Sequence, residues 1–519
     1  MLARIVALAV ALLCAAASPA QTDLEQRLDA VKEFQRFFRK FKQIEQKIEA
    51  IRTLEIAECV PAAEALVDLF DNKSPEIVRA AVDVLSGYKS ESTFAAMVAA
   101  LPELDNRTQQ TVLIEVFGRA GIKSAAAKIE ELICDQGVTD AGVRFAAARA
   151  IGQLGGDRAG DALRILLDDS GSTVRMAACD SVGALDIDAL GPRLVELLGD
   201  SSWQVQIAAV RALGKVREPS AVEPIIELMA GGGRVVEECG DALFHITGMD
   251  LGTDAEAWRK QWERLQKISG WRIPTDAELA KKAESRKRYD ALYGKSDDAT
   301  SFGGIKTTST RILFIIDVSG SMDDVVTEKE KFDAEYRDYR KLTIVKTELA
   351  RTIEGLGDNT LFNIVAFASE VKPWKKFLVP ANVVNKASAS RWVEKLEALG
   401  GKEAQELAKS GLGGAANLAA GKTNTYAALL YPFGIDPEKT SQPRSGAASK
   451  SKLDTVFFLS DGRPSTGKVV DEREILRIVN EINAEFRITF HVIAIGDFQK
   501  ALLEHLAHDN EGVFVDLGR

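Results

Sequence analysis

The first half of the chain repeats itself at a fixed interval of 31 residues. Gly152, Gly183 and Gly214 are spaced by this interval, and each ends an alanine-containing run that starts with a valine, as in Val143–Gly152. A fixed interval of this length is typical of repeat proteins, in which each interval forms one small structural unit. This half of the chain is therefore predicted to consist of stacked copies of one unit.

Each unit is predicted to be a pair of helices. Its apolar residues recur at helical spacing, and its alanines allow neighbouring helices to approach closely. Leu166 and Leu197 mark the second helix of two successive units at the same interval. Ser74 and Pro75 are expected to start a helix, with the hydroxyl as its cap and the proline in its first turn. Because one pair of helices cannot bury its apolar face alone, about six pairs are expected to stack into an α-solenoid over residues 21–270.

The interval and the paired helices resemble HEAT repeats of the short bacterial kind. The resemblance implies a binding role, since stacked helix pairs present an extended concave surface to other macromolecules. Some HEAT-like proteins act as bilin lyases, so an enzyme stays open as an alternative. No residue in the repeats stands out as a nucleophile or a general base, which favours binding.

Residues 1–20 have the layout of a secretory signal peptide. Arg4 is followed by an apolar run from Ile5 to Ala17, and small residues at positions 18 and 20 precede Gln21. Cleavage is predicted after Ala20. The apolar run is shorter than the roughly 20 residues that a helix needs to span a bilayer, and no later segment is long and apolar enough. The protein is thus predicted to be exported to the periplasm, the cell surface or the medium, without stable insertion into a membrane.

Composition narrows the classes of function. Lys and Arg number 66 against 76 Asp and Glu, which gives a net charge of −10. This acidic balance argues against binding to nucleic acid, which needs a basic face. Four histidines and five cysteines argue against a histidine-rich zinc enzyme and against a disulfide scaffold. A chain of 519 residues also needs more than one core, so several domains are expected.

The second half alternates predicted strands and helices. Residues 271–307 are charged and then rich in Ser, Asp, Gly and Thr, and they are interpreted as a linker. Residues 312–316 form an apolar run that is typical of a buried strand in a parallel sheet, and strands and helices alternate after it. This alternation predicts a doubly wound, Rossmann-like α/β domain over residues 308–519, with ligands at the carboxyl ends of its strands.

Oxygen-bearing side chains lie at that predicted edge. Asp317, Ser319 and Ser321 come directly after the first strand, in a loop that contains glycine. Thr423 precedes a predicted helix, and Asp461 directly follows a later strand. Because the carboxyl ends of parallel strands meet at one edge of a sheet, these side chains are expected to lie close together.

At these residues the chain resembles a von Willebrand factor type A domain with its metal-ion-dependent adhesion site. All five positions of that site are present, as Asp317, Ser319, Ser321, Thr423 and Asp461. The resemblance implies that the two serines bind the ion directly, and that the other three residues bind it directly or through water. Five oxygen ligands without nitrogen or sulfur suit Mg²⁺ or Mn²⁺. In this domain type an open position on the ion usually captures an acidic side chain of a protein partner.

Other interpretations of the same segment stay open. The ion could only rigidify its loop, without binding a partner. Residues 416–423 nearly match a phosphate-binding loop, but Ala416 stands where the first glycine belongs and no strand precedes it. Asp323, Asp324 and Asp497 are expected at the same edge of the sheet, where they could tune its charge or hold a second ion.

The whole sequence is predicted to encode an exported protein that binds a protein partner through a divalent ion, with the HEAT solenoid as a second interaction surface. No catalysis is expected, because neither histidine nor cysteine accompanies a hydroxyl nucleophile. The alternatives are a HEAT scaffold with a purely structural ion and an enzyme, either a HEAT-type lyase or a nucleotide hydrolase. The sequence does not name the partner.

Overall fold

The computed structural model describes residues 19–268, 270–293, 300–302, 305–326, 336–399, 421–439, 447–461, 463–495 and 500–517. Residues 1–18, which are most of the predicted signal peptide, lie outside these ranges. The chain divides into two compact units, residues 1–190 and residues 191–519. None of the helices in the described ranges combines the length and the apolar character that crossing a membrane requires.

The described part of the first unit is a succession of helices. They are α1 (Pro19–Lys40), α2 (Ile44–Arg52), α3 (Val60–Val67), α4 (Pro75–Gly87), α5 (Glu91–Ala100), α6 (Arg107–Ala120), α7 (Ala126–Cys134), α8 (Ala141–Leu154), α9 (Ala159–Leu167) and α10 (Ser172–Leu185). Short polar side chains begin several of them. Asp140, for example, accepts a hydrogen bond from the backbone nitrogen of Val143 (3.0 Å) at the start of α8, and so satisfies a donor that the helix itself leaves free.

The predicted start of a helix at Ser74 and Pro75 is correct in position but not in its cap. Pro75 is the first residue of α4. The hydroxyl of Ser74 makes no capping hydrogen bond to the helix and instead donates to the carboxylate of Glu76 (2.6 Å). An acidic side chain two residues away has therefore replaced the backbone as the partner of this serine.

The glycine of the 31-residue interval also recurs in the earlier repeats, since Gly118 precedes Gly152 by 34 residues and Gly87 precedes Gly118 by 31. A Cβ added to Gly152 in α8 would lie 3.0 Å from the Cα of Ser181 in α10. A Cβ on Gly118 in α6 would lie 3.4 Å from the Cα of Ala150 in α8. Gly87, which ends α4, faces open space instead. The glycine is thus required by close packing at some of the repeats and not at others.

The second unit contains further helices of the repeat region, followed by the α/β domain. Its helices are α11 (Gly191–Glu196), α12 (Trp203–Val216), α13 (Val222–Ala230), α14 (Val235–Thr247), α15 (Ala255–Leu265), α16 (Asp276–Tyr293), α17 (Lys341–Gly355), α18 (Val383–Glu394), α19 (Thr425–Leu430), α20 (Ala447–Lys450), α21 (Glu472–Phe486) and α22 (Lys500–Asp509). Its strands are β1 (Thr300–Phe302), β2 (Ile305–Thr307), β3 (Arg311–Asp317), β4 (Leu361–Phe367), β5 (Val371–Pro373), β6 (Val379–Pro380), β7 (Thr455–Ser460), β8 (Thr489–Ile495) and β9 (Phe514–Leu517). The segment predicted as a linker holds α16 and the antiparallel pair of β1 and β2.

One sheet organises the α/β domain. Within the described residues its strand order is β5-β4-β3-β7-β8-β9, and β6 also pairs with β4. β5 and β6 are antiparallel to β4, whereas the other pairs are parallel. Because β3 lies between β4 and β7, the chain passes from β3 to one side and later returns to the other. The loops after β3 and β7 therefore diverge at the carboxyl edge, where such sheets bind ligands.

Apolar cores cover both faces of the sheet. Leu313 and Ile315 of β3 belong to one core, together with residues of α19, α21 and α22. Ile312, Phe314 and Ile316 belong to the other, together with residues of α17 and α18. The uninterrupted apolar run of β3 is thus explained by burial on both faces. The predicted fold class, helical repeats followed by a doubly wound α/β domain, is confirmed.

Within the second unit, helices of the repeat region contact the amino edge of the sheet. The side-chain amide of Gln204 in α12 donates to the carbonyl of Ala448 (2.9 Å) in α20, which precedes β7. Arg234, just before α14, donates from Nε to the hydroxyl of Thr489 (3.1 Å), the first residue of β8. These contacts lie at the opposite end of the strands from Asp317, the last residue of β3.

Candidate metal centre

Asp317 holds the loop that follows β3. Its carboxylate is fully buried. One carboxylate oxygen accepts a hydrogen bond from the backbone nitrogen of Ser319 (2.8 Å), and the other accepts from the hydroxyl of Ser460 (2.6 Å). Since Ser460 is the last residue of β7, this carboxylate joins the ends of two neighbouring strands. It also fixes the turn that presents the two serines of the loop.

The loop after β3 brings its serines to the loop after β7. The hydroxyl oxygens of Ser319 and Ser321 lie 3.2 Å apart. Ser321 donates a hydrogen bond to Oδ1 of Asp461 (2.8 Å), which directly follows β7 and whose side chain is fully buried. Four of the five predicted ligands therefore belong to one hydrogen-bonded cluster. They are Asp317, Ser319, Ser321 and Asp461.

Thr423 reaches the same edge through backbone contacts. The backbone nitrogen of Gly320 donates to the carbonyl of Gly421 (3.0 Å), so the loop before α19 lies against the loop after β3. Thr423 is buried, and its backbone nitrogen and carbonyl both bond to Ser465, at 2.8 Å and 2.9 Å. Ser465 lies in the loop after β7, four residues beyond Asp461. The three loops that carry the predicted ligands thus meet at one place.

An ammonium group that the sequence analysis missed lies in this cluster. Lys341 is the first residue of α17, and its Nζ forms an ion pair with Oδ2 of Asp461. Only 9% of the lysine side chain and none of the aspartate side chain is exposed. The available signal was the position of the lysine, because a cation in the first turn of a helix is opposed by the helix dipole and calls for an acidic partner. The sequence gives no indication of which acidic residue that partner is.

Negative charge exceeds positive charge in the cluster. It holds two buried carboxylates and one ammonium group. The pKa of Asp317 is raised to about 6, first by burial and then by the negative charge of Asp461, against the lowering effect of the hydrogen bonds from Ser319 and Ser460. A divalent cation would supply the missing charge, and carboxylate and hydroxyl oxygens are the donors that hard cations prefer. The residues therefore fit Mg²⁺ or Mn²⁺ in charge and in ligand type.

The candidate centre depends on hydroxyls as much as on carboxylates. Within the described ranges, no three His, Cys, Asp or Glu side chains gather in a group that could hold a metal ion. Two carboxylates alone are few ligands for a divalent ion, so Ser319, Ser321 and Thr423 would have to complete the set.

The remaining residues singled out in the sequence are placed as follows. Asp323 forms an ion pair with Arg340, so its charge is already balanced. Asp497 and residues 400–420, which include most of the near match to a phosphate-binding loop, lie outside the described ranges. Lys422, the lysine of that match, is exposed.

Two family patterns match parts of this chain. The sequence pattern of HEAT repeats matches residues 105–183 and 166–239, and that of the von Willebrand factor type A domain matches residues 333–516. The chain carries HEAT repeats followed by a von Willebrand factor type A domain. Both modules are mainly non-enzymatic and mediate protein–protein interaction, and the second commonly binds a divalent metal.

The von Willebrand domain of this chain is similar to part of several larger proteins. Human inter-alpha-trypsin inhibitor heavy chain H4 is 26% identical over 211 residues, which are 40% of this chain and 18% of that protein. Inter-alpha-trypsin inhibitor heavy chain H1 of Mesocricetus auratus is 27% identical over 206 residues, 39% of this chain and 18% of that protein. This chain thus spans less than a fifth of the length of these heavy chains. Among solved structures, the conserved hypothetical protein BatB from Bacteroides thetaiotaomicron is similar, with 14% identity, 40% coverage of this chain, 88% coverage of that chain and a TM-score of 0.25.

Proposed function

We propose that this protein binds a protein partner through a divalent ion at the carboxyl edge of its von Willebrand domain. The ligands would be Asp317, Ser319, Ser321, Thr423 and Asp461. The observation that carries the proposal is the hydrogen-bonded cluster that joins the ends of β3 and β7, in which two buried carboxylates share one ammonium group. Mg²⁺ or Mn²⁺ would supply positive charge there, together with an open position for an acidic side chain of the partner.

The contacts of the serines support binding rather than catalysis. The hydroxyls of Ser319 and Ser321 are bonded to each other, and that of Ser321 also donates to Asp461. Among the described residues, neither is bonded to a histidine or a cysteine that could act as a general base. An unactivated hydroxyl is a weak nucleophile, whereas its oxygen is an adequate ligand for a hard cation. The HEAT repeats would provide a second interaction surface.

The location and the domain limits belong to the same proposal. We infer that residues 1–20 direct export to the periplasm, the cell surface or the medium. The HEAT region would extend over residues 21–270 and the von Willebrand domain over residues 308–519. The family matches at 105–239 and 333–516 fall inside these limits and support them.

Titration of the full chain with Mg²⁺ and with Mn²⁺ tests the metal step. Calorimetry should show one ion bound, and melting with the ion should occur at a higher temperature than melting with a chelator, because a ligand that binds only the folded state stabilises it. Asp317→Ala and Ser321→Ala should both lose this response. Asp454→Asn is the matched control, since Asp454 is also a buried carboxylate but precedes β7, whereas Asp461 follows it.

The partner step needs a second measurement. Immobilised protein should retain a partner from its own compartment in Mg²⁺ and release it in chelator, and Ser321→Ala should retain none in either condition. Binding that survives both the chelator and Ser321→Ala would contradict capture through the ion.

One observation favours a second candidate function. The ammonium group of Lys341 already neutralises Asp461, so the edge could be stable without an ion and the HEAT repeats could bind the partner alone. In that case Asp317→Ala would leave partner binding unchanged, whereas substitutions on the repeats would reduce it.

A further inference from the structure

We propose that Lys341 is a built-in cation of the metal centre, which neutralises Asp461 when no ion is bound and lowers the affinity of the centre for a divalent ion. This inference rests on the proposed function, because it concerns the same site. It adds a residue that is not a ligand but that determines the ion concentration at which the centre is occupied.

The geometry fixes Lys341 in this position. Its backbone nitrogen donates to the carbonyl of Asp324 (3.0 Å), so the start of α17 is tied to the end of the loop that carries the serines. Its ammonium group meets Oδ2 of Asp461, while Oδ1 of the same carboxylate accepts from Ser321. Both carboxylate oxygens of Asp461 are therefore engaged within the protein. An ion that bound Asp461 directly would compete with the ammonium for this carboxylate.

Burial makes this competition strong. A charge inside a protein interacts with its neighbours far more strongly than in water, because little solvent screens it. Asp461 is fully buried at its side chain, and Lys341 is nearly so. A divalent ion beside Ser321 and Asp461 would bring two positive charges close to the ammonium group. Either the lysine leaves Asp461 or it stays and repels the ion, and the affinity for the ion falls in both cases.

The same contact would stabilise the centre in the absence of an ion. A buried carboxylate that has lost its counter-charge strongly destabilises a protein. Lys341 supplies that counter-charge for Asp461. The ion pair outweighs the unfavourable interaction of the lysine charge with the dipole of α17. Removal of the lysine charge should therefore have two opposite effects, a less stable ion-free protein and a tighter ion site.

The test compares three variants of the full chain by calorimetric titration with Mn²⁺ and by melting in chelator. Lys341→Met removes the charge and keeps most of the side-chain length. Lys341→Arg keeps the charge. Lys346→Met is the matched control, because Lys346 lies on the same helix but donates to the carbonyls of Glu394 and Leu396, away from the centre.

We expect Lys341→Met to bind Mn²⁺ at least about tenfold more tightly than the wild type and to melt at a lower temperature in chelator. Lys341→Arg and Lys346→Met should keep the affinity of the wild type. Unchanged or weaker binding by Lys341→Met, with binding by the wild type, would overturn the inference and leave the proposed metal centre intact. Binding by Lys341→Met but not by the wild type would support the inference and overturn metal-mediated capture. Absence of binding in both proteins would overturn both.

Discussion

Arg211 holds Glu511 with both terminal nitrogens of its guanidinium group, each 2.5 Å from a carboxylate oxygen. Arg211 lies in α12 of the repeat region, whereas Glu511 lies in the loop between α22 and β9. Burial alone would raise the pKa of Glu511, but the hydrogen bonds and charge of Arg211, with the charges of Arg487 and Arg234, hold this pKa below its usual range. Glu511 also has a φ of 59°, a conformation that residues other than glycine rarely adopt. The ion pair thus keeps a strained loop against the repeat region.

Removal of this ion pair should destabilise the second unit. Arg211→Met is expected to lower its free energy of unfolding by about 1–3 kcal/mol, because a two-pronged, partly buried pair is lost and Glu511 keeps its charge. All six tryptophans of the chain belong to residues 191–519, so their fluorescence during urea denaturation reports on this unit. A double-mutant cycle with Glu511→Gln isolates the energy of the pair.

An exposed pair in the same unit serves as the control. Arg272 holds Glu278 with two hydrogen bonds of 2.8 Å and 2.9 Å, but both side chains are largely exposed. Exposed ion pairs contribute little to stability, so Arg272→Met should leave the urea transition unchanged. An equal effect of Arg211→Met and Arg272→Met would show that the contact between Arg211 and Glu511 stabilises the fold no more than an exposed ion pair does.

Gln204, the buried glutamine of α12, should stabilise the contact between the repeat region and the α/β domain within the second unit. Gln204 is only 3% exposed, donates to the carbonyl of Ala448 and accepts a hydrogen bond from the hydroxyl of Ser202 (2.7 Å). Gln204→Leu is expected to cost about 1–3 kcal/mol, because it removes both bonds and leaves a buried hydroxyl without this partner. Gln206→Leu, which alters a half-buried glutamine of the same helix, should cost less in the same urea experiment. A larger effect at Gln206 would contradict this assignment.

The close helix crossing at Gly152 should make this glycine essential. Gly152→Ala places a Cβ against Ser181, whose Cα would be 3.0 Å away, and should destabilise the first unit by about 1–3 kcal/mol through overpacking. Gly87→Ala, where the added Cβ faces open space, should instead be neutral or stabilising by up to about 1 kcal/mol, since alanine favours helix over glycine. Circular dichroism during urea denaturation measures both. Equal effects of the two substitutions would show that the 31-residue interval does not reflect packing.

Much of the fold could be predicted from the sequence, because it depends on local pattern. The interval of 31 residues indicated the helical repeats, and the apolar run of residues 312–316 lies within β3. Asp317 and Asp461 lie at strand ends in the sequence, and the parallel register of β3 and β7 then brings them to one edge. Lys341 could not be assigned to Asp461, because that contact joins residues 120 positions apart and depends on how α17 packs. The ion pair of Arg211 with Glu511 was missed for the same reason.

His491 is a buried histidine of β8 that the structure keeps neutral. It is 7% exposed, its ring lies 4.9 Å from that of Phe457, and its Nδ1 accepts a hydrogen bond from the backbone nitrogen of Val513 (3.1 Å). Burial, and then the positive charge of Arg234, lower the pKa of His491 to about 4. A protonated ring would lose the acceptor that Val513 needs, so the fold depends on the neutral form.

This histidine should make the protein less stable in mild acid. An unfolded chain protonates its histidines near pH 6.5, whereas His491 in the folded state stays neutral down to about pH 4. Its contribution is therefore intact above pH 6.5 and is lost progressively as the pH falls towards 4, by about 3 kcal/mol in total. His491→Asn, whose side-chain oxygen can still accept from Val513, should remove this part of the pH dependence. Burial raises the pKa of Asp454 to about 6, so this carboxyl makes the fold more stable as the pH falls and opposes the effect of His491. The quantity to compare is therefore the difference in free energy of unfolding between wild type and His491→Asn at each pH. His508→Asn, at a side chain that is 91% exposed, is the surface control for the same substitution. A difference between wild type and His491→Asn that stays constant from pH 7 to pH 4.5 would contradict the assignment of a neutral, buried His491.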